Sequence, residues 1–287
     1  MSAILRKPAW SWQFSADSLP SLARVAPIDD ISPEWAWAGS SGAGVRVAVI
    51  DSGIDADHPA IGGRVEGYVA ITETDGELSY DESPHDDSCG HGTACAGIIR
   101  SLAPDCELYS VKVLGAAMTG RGSVFAAGLR WAIEHNMHVC NLSLGTTNRN
   151  LLVALHEIAD VAYFRRIILV TAANNLPVPS YPSIFASVMS VAAHDVRDPN
   201  IFYYNPEPPV EFGALGIDVR VAWQNHDWIT ATGNSFAAPH ITGFVTRLLG
   251  KHPDLAPFQV KAIMRALAAN VSGARVPVLE NEVAGEG

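Results

Sequence analysis

The sequence predicts a three-layer α/β fold, a mainly parallel sheet with helices on both faces, and two features carry that prediction. Short, β-branched apolar runs recur along the chain, and between them lie longer stretches whose apolar residues repeat at helical spacing. Strands buried on both faces read as near-continuous apolar runs because neither face meets water. The 287 residues are 48% hydrophobic and 17% charged, which supplies enough apolar surface for a core and excludes wholesale disorder.

After an irregular opening, VRVAVI (45–50) predicts the first strand, and a helix follows over 91–102. ELYSVKVL (107–114), HVCNLSL (138–144), RIILVTAA (166–173) and SVMSVAA (187–193) predict further buried strands, with helices over 123–135 and 150–164 between them. The last third changes character: prolines cluster at 206–209, a strand pair falls near 219–232, and a helix spans 235–250. Pro253 and Pro257 then punctuate the gap before a final helix over 258–269. No linker divides the chain, so one domain is expected over 28–270, with an N-terminal extension, 1–27, and a loose tail, 271–287, that lacks helical period.

Lys and Arg number 19 against 30 Asp and Glu, a net charge of −11 with no basic block. A nucleic-acid face needs concentrated positive charge, so such a partner is not expected. No apolar run approaches the roughly 20 residues of a membrane span. The opening MSAILRKPAWSWQFSAD is broken by Pro8, Trp10 and Gln13 before an apolar core of a signal peptide forms, which predicts a cytoplasmic protein. Cys89, Cys95, Cys106 and Cys140 lack C-x-x-C spacing and read as reduced thiols. Cys89, His91 and Cys95 lie close in sequence but have no fourth ligand nearby, so no structural zinc is expected.

Open parallel sheets bind ligands beyond the carboxyl ends of their strands. The first strand ends in Asp51, within DSGIDADHP, where an aspartate can equally form a turn. CGHGTACAGII sets His91 between Gly90 and Gly92, which permit close backbone approach, with Thr93 beginning a helix; a buried core histidine is the alternative. GNSFAAPHITG puts Ser235 at a helix start, with Pro239 expected in the tolerant first turn; an N-cap serine looks the same. Together Asp51, His91 and Ser235 supply an orienting carboxylate, a base and a nucleophile, the set that acyl transfer by serine requires.

These strings, in the order Asp, His, Ser, resemble the motifs of the subtilisin-like serine proteases, or subtilases. The resemblance runs from Ile28 to Ala269: VAVIDSGIDADHP is similar to the aspartate motif, GHGTACAGI to the histidine motif and GNSFAAPH to the serine motif, with Asn234 where threonine is usual. LVTAANN resembles the strand ending in the oxyanion asparagine, which implies that the Asn175 amide joins the Ser235 N–H in binding the intermediate's oxygen. NLSLG (141–145) is similar to the strand that lines the substrate, implicating Ser143, Leu144 and Gly145. Met118, Thr119 and Gly120 fall where the family has an opposing edge strand, so a peptide or protein substrate would lie extended between the two. Asn174 replaces a glycine and adds bulk beside the pocket for the residue preceding the cut bond.

The resemblance implies a serine endopeptidase working through an acyl-enzyme without an organic cofactor, with intracellular maturation of a precursor peptide as its expected role. A pseudo-protease that binds extended peptides is the other reading, since Asn234 and Asn174 depart from the pattern. The extension 1–27 is too short for the folded pro-domain of secreted relatives, and its Trp10, Trp12 and Phe14 could form a surface strap or a cleft cover. The helix after His91 lacks the family's calcium-binding loop, and Ala60 stands where a ligating aspartate often occurs, so no tight calcium site is expected. Asp81, Glu82, Asp86 and Asp87 read as a solvated loop.

Overall fold

The computed structural model describes residues 30–271 together with Ser11, Phe14, Ser18, Pro20 and Ile28. Trp10, Trp12 and positions 272–287 of the expected tail lie outside the described residues. The chain forms two compact units, Met1–Ile31 and Ser32–Gly287. In the first, the Phe14 N–H donates to the Ser11 carbonyl (3.1 Å) and the Phe14 ring is exposed.

The second unit opens with α1 (Pro33–Trp37), where the Ser32 hydroxyl oxygen accepts from the Trp35 N–H and caps the helix. Then come β1 (Arg46–Asp51), the hairpin of β2 (Gly67–Thr74) and β3 (Glu77–Asp81), α2 (His91–Leu102), β4 (Glu107–Lys112), α3 (Gly122–Glu134), β5 (Val139–Leu142) and α4 (Leu152–Phe164). The chain continues through β6 (Ile168–Ala172), β7 (Met189–His194), β8 (Phe202–Tyr204), β9 (Phe212–Leu215), the hairpin of β10 (Val219–Ala222) and β11 (Trp228–Ala231), α5 (Asn234–Lys251) and α6 (Pro257–Leu267).

Nine strands form one sheet in the order β3-β2-β4-β1-β5-β6-β7-β9-β8. All neighbours pair in parallel except β3 and β8, which run antiparallel at the two edges. Helices α3 and α4 pack together over one face, while α2 and α5 pack together over the other. The predicted three-layer fold is therefore the observed one. The sequence reading missed the β2–β3 hairpin, whose outer strand is exposed throughout and has no buried run to betray it, and the short β8 and β9, which flank the proline cluster.

Two consequences of this topology position the chemistry. β1 has β4 on one side and β5 on the other, so the chain winds outward in both directions and leaves a crevice beyond the carboxyl end of β1. Side chains alternate along a strand: Ala48 and Ile50 enter the core under α3 and α4, so Asp51 points to the opposite face, toward α2 and α5. At the start of α2, a Cβ on Gly92 would run into the Gly53 carbonyl oxygen and approach the Asp51 Cβ at 3.2 Å. Gly92→Ala should therefore destabilise the fold by about 1–3 kcal/mol through overpacking against backbone, read as a lower denaturant midpoint at unchanged m-value.

Candidate active site

Asp51 is fully buried, and its Oδ1 accepts from the Ser52 N–H (2.8 Å). His91, the first residue of α2, follows Gly90, whose φ of +92° turns the chain sharply into the helix. Its Nδ1–H donates to Asp51 Oδ1 (2.8 Å) and Oδ2 (3.0 Å). A carboxylate can only accept, so this contact fixes the tautomer and leaves the Nε2 lone pair of the neutral ring free. Burial opposes a charge on His91, but the Asp51 carboxylate outweighs it by its charge and hydrogen bond, Asp87 adds to it, and the imidazole pKa rises above its ordinary value.

Asp87 is not part of a solvated loop, as the sequence reading had it. Its Oδ2 accepts from the Thr93 N–H (2.8 Å) and hydroxyl (2.7 Å), and its Oδ1 from the Ser52 hydroxyl (2.7 Å) and the Cys89 N–H (3.0 Å). The Ser52 oxygen in turn accepts from the Gly92 N–H (3.1 Å). A carboxylate at the positive end of α2 thus ties the exit of β1 to the first turn that carries His91. Asp81, Glu82 and Asp86 are exposed and serve separate partners: the Ser83 N–H, the Trp131 indole N–H and, through the Asp86 carbonyl, the Lys112 ammonium.

Ser235 is the second residue of α5, where an N–H has no carbonyl four residues back to bond. Pro239 is the sixth residue of that helix, beyond the first turn in which the sequence reading placed it. Having no N–H, it cannot donate to the Ser235 carbonyl. Two side chains donate instead, the Ser143 hydroxyl (2.7 Å) and the buried Cys95 thiol (3.5 Å). Asn141 Nδ2 donates to Ser143 Oγ (3.0 Å), and Asn141 Oδ1 accepts from the Thr242 hydroxyl (2.9 Å). Burial first, then the Asp51 charge, pushes the Cys95 thiol well above its ordinary pKa, so it remains a neutral donor.

Asn175 lies just past the end of β6, and its Oδ1 accepts from the Asn234 N–H (2.9 Å). With the oxygen engaged, the Nδ2 donors are left for the crevice. Hydroxyl and amide meet at Gly233, where an added Cβ would lie 3.2 Å from Ser235 Oγ and 3.6 Å from Asn175 Nδ2. The Asn234 side chain braces this corner: Oδ1 accepts from the Ala193 N–H (2.8 Å), and Nδ2 donates to the carbonyls of Ala173 (3.2 Å) and Asn174 (3.1 Å).

A cleft of about 190 Å³ brings together Ser143, Leu144, Gly145, Asn174, Asn175 and Ser235. Met118, Thr119 and Gly120 do not line it and do not form the expected edge strand. The Met118 N–H donates to the Gly115 carbonyl (3.0 Å), the Thr119 carbonyl accepts from the Gly115 N–H (3.1 Å), and Met118 has a φ of +54°, so the segment closes on itself as a turn. Met118 Sδ lies 2.9 Å from Cys89 Sγ.

Among the described residues, the His91 ring forms hydrogen bonds with Asp51 alone. Its ring is 5.4 Å from that of Phe236, the neighbour of Ser235, and Cys95 reaches Asp51 Oδ2 (3.9 Å) as well as the Ser235 carbonyl, so the two halves of the site lie side by side. Asp51, His91 and Cys95 also form a group whose ligand atoms lie within 4.8 Å of one another; the protonated thiol and the occupied Nδ1 make it a poor donor set for a metal. The supporting roles of Asp87, Cys95, Asn141 and Ser143 went unread in the sequence, although Pro239, four residues after Ser235, is a local sign that the Ser235 carbonyl needs an outside donor.

The sequence model of the Subtilase family matches residues 42–283. The chain belongs to the subtilase family, and so to the subtilisin-like serine endopeptidases. It is 33% identical to the thermostable alkaline protease of Halalkalibacterium halodurans over 78% of this chain and 62% of that protein. It is 32% identical to subtilisin Savinase of Lederbergia lenta over 81% of this chain and 86% of that protein. Among solved structures it is similar to a cold-adapted subtilisin-like serine proteinase (TM-score 0.66, 25% identity, 88% of this chain and 92% of that one). In fold it is also similar to the S41 psychrophilic protease (TM-score 0.69, 24% identity, 79% and 84%).

For this subtilase, titration of His91 followed by its ring resonances should give a pKa above the ordinary 6.5. In Asp51→Asn the pKa should fall below that value, because burial, the largest influence, then meets only the smaller opposing charge of Asp87.

Proposed function

We propose that this subtilase cuts peptide bonds with Ser235 as nucleophile, His91 as general base and then acid, Asp51 as the group that orients His91, and Asn175 with the Ser235 N–H as oxyanion donors. The observation that carries the reading is the buried Asp51–His91 pair beside the first turn of α5. A serine hydroxyl is too weak an acid to attack an amide unaided. Neutral His91 takes its proton at Nε2, the acyl-enzyme forms with loss of the amine, and a water deprotonated by the same nitrogen releases the carboxylic acid. The negative oxygen of each tetrahedral intermediate meets donors already in place at Asn175 and Ser235, which lowers the barrier because they need not reorganise.

Substrate would lie extended along 143–145, with the side chain before the cut bond in the cleft that Asn174 borders. The brace made by Asn234 favours catalysis over peptide binding alone, since it supports the corner that a pseudo-protease would lose. The same reading takes the chain as a cytoplasmic enzyme that matures a precursor peptide. Four free cysteines, three of them buried, are consistent with a reducing compartment; cell fractionation and mapping of cleavage sites in a peptide library test location and substrate.

Ser235→Ala should lower kcat by about a millionfold, the size of the effect known for subtilisin, with the fold retained and labelling by a fluorophosphonate probe abolished. Undiminished cleavage by that variant would overturn the assignment. Asn175→Ala should lower kcat by about 10²–10³ with little change in KM, again the subtilisin magnitude; a loss confined to KM would make Asn175 a ground-state contact. The log of kcat/KM should rise with pH through the raised His91 value, because only the neutral ring accepts the serine proton.

Asn234 acts through Asn175 as a positioning residue. Asn234→Ala removes three part-buried hydrogen bonds beside Asn175 and should lower kcat about tenfold. In an Asn175→Ala background the same change should have almost no further effect on kcat, whereas additive losses would assign Asn234 to stability alone.

A further inference from the structure

Away from the catalytic cleft, α2, α5, the β10–β11 hairpin and the segment 197–199 enclose a cavity of about 790 Å³, within the range of ligand sites. Its wall is apolar at Ile98, Leu215 and Val219, all buried. At its rim stand Arg197 and Arg220, both exposed, in a chain whose net charge is −11. The Arg220 guanidinium sits over the Trp228 ring at 4.4 Å, which fixes the group in place while its in-plane N–H donors stay available. Among the described residues, the one carboxylate that lines the cavity, Asp218, accepts from the Thr232 hydroxyl (3.4 Å).

Two largely buried polar side chains, Arg100 and His240, stand on the wall. Arg100 gives its terminal nitrogens to the carbonyls of Pro104, Cys106 and Arg64, but its buried Nε has no partner. His240 is 3% exposed, and its Nδ1–H donates to the Phe236 carbonyl (2.9 Å), so Nε2 carries the lone pair and is left to the cavity. Burial holds His240 near a pKa of about 4, so it is a neutral acceptor. A neutral acceptor on an apolar wall offers a ligand N–H a directional partner.

The cavity therefore offers three complementary features at once: an apolar wall, an acceptor set in that wall and cationic donors at the mouth. We propose that it binds the carboxyl-terminal residue of a peptide, the apolar side chain against Ile98, Leu215 and Val219, the amide N–H on His240 Nε2 and the carboxylate on Arg197 and Arg220. This source of ligand rests on the proposed function, since peptide hydrolysis creates a new carboxyl terminus at each cut. The site is joined to the chemistry by one residue: the Phe236 carbonyl holds His240, and the Phe236 ring faces His91 beside Ser235. An occupant that moves His240 thus acts on the turn that carries the nucleophile.

The test titrates N-acetyl-leucine into the full chain, read by calorimetry and by the His240 ring resonances. Saturable binding that shifts His240 is expected. N-acetyl-leucinamide, which lacks the carboxylate, should bind at least about tenfold more weakly, as should the acid to an Arg197→Ala, Arg220→Ala double variant that retains peptide hydrolysis. Equal binding of acid and amide, or binding unchanged by the arginine substitutions, would place the ligand elsewhere and overturn the proposal, as would no saturable binding. Because binding is read without turnover, loss of the peptidase reading would remove the product as source and leave the site itself to stand or fall on these measurements.

Discussion

The missing N–H of Pro239 is the constraint around which the candidate catalytic corner is built. α5 is buried along most of its length, so its axis is set by the sheet and its N-terminus must open where the strands end. That end presents unpaired N–H groups to the crevice, as any helix does. What is particular is one turn further in, where proline leaves the Ser235 carbonyl without its helical donor. A buried carbonyl has to be satisfied, and the donors available are Ser143, just beyond the end of β5, and Cys95 on α2. The gap in one helix thereby fastens three elements together at the residue that carries the hydroxyl.

A second constraint concerns charge. Asp51 has no exposed surface, and a buried carboxylate is tolerated only when its lone pairs are occupied. The Ser52 N–H and the His91 Nδ1–H supply that, so orientation of the imidazole and solvation of the aspartate are one interaction seen from its two ends. Asp87 extends the arrangement outward: it accepts four hydrogen bonds from Ser52, Cys89 and Thr93, and its charge adds to the rise in the His91 pKa. The imidazole is held from behind by a buried carboxylate and steadied at its helix end by a half-buried one, and among the described residues no hydrogen bond occupies Nε2, the atom that the proposed mechanism asks to accept a proton.

Sequence reading found what is local. A strand of β-branched residues ending in Asp51, a glycine-flanked His91 opening a helix and a glycine-preceded Ser235 at another helix start are each contained in about a dozen residues, and each element formed where the periodicity put it. The interactions that set the geometry span far greater distances: Ser143 meets Ser235 across 92 positions and Asn141 meets Thr242 across 101. Such pairs leave no periodic trace. Asp87 went astray for a related reason, because a run of acids looks solvated until a particular helix end is brought against one of them. Residues 118–120 differ in another way: resemblance places an edge strand there, whereas the positive φ of Met118 and the Gly115–Thr119 pairing turn the chain back on itself.

The two departures that raised doubt about catalysis, Asn234 and Asn174, are best understood as one coupled change. Asn234 reaches three backbone groups at once, the Ala193 N–H and the carbonyls of Ala173 and Asn174. A threonine hydroxyl has a single proton on a shorter arm and cannot donate to both carbonyls while accepting from a third group. Asn174, for its part, bends the chain by accepting the Leu176 N–H on Oδ1 (2.8 Å), so the segment leaves the cleft immediately and needs no long loop to return to Tyr181. The Thr146–Tyr181 bridge then closes that return against the chain that follows β5. A short loop lacks the internal packing that would hold the Asn174–Asn175 corner by itself, and the larger amide at 234 supplies that hold from the helix side.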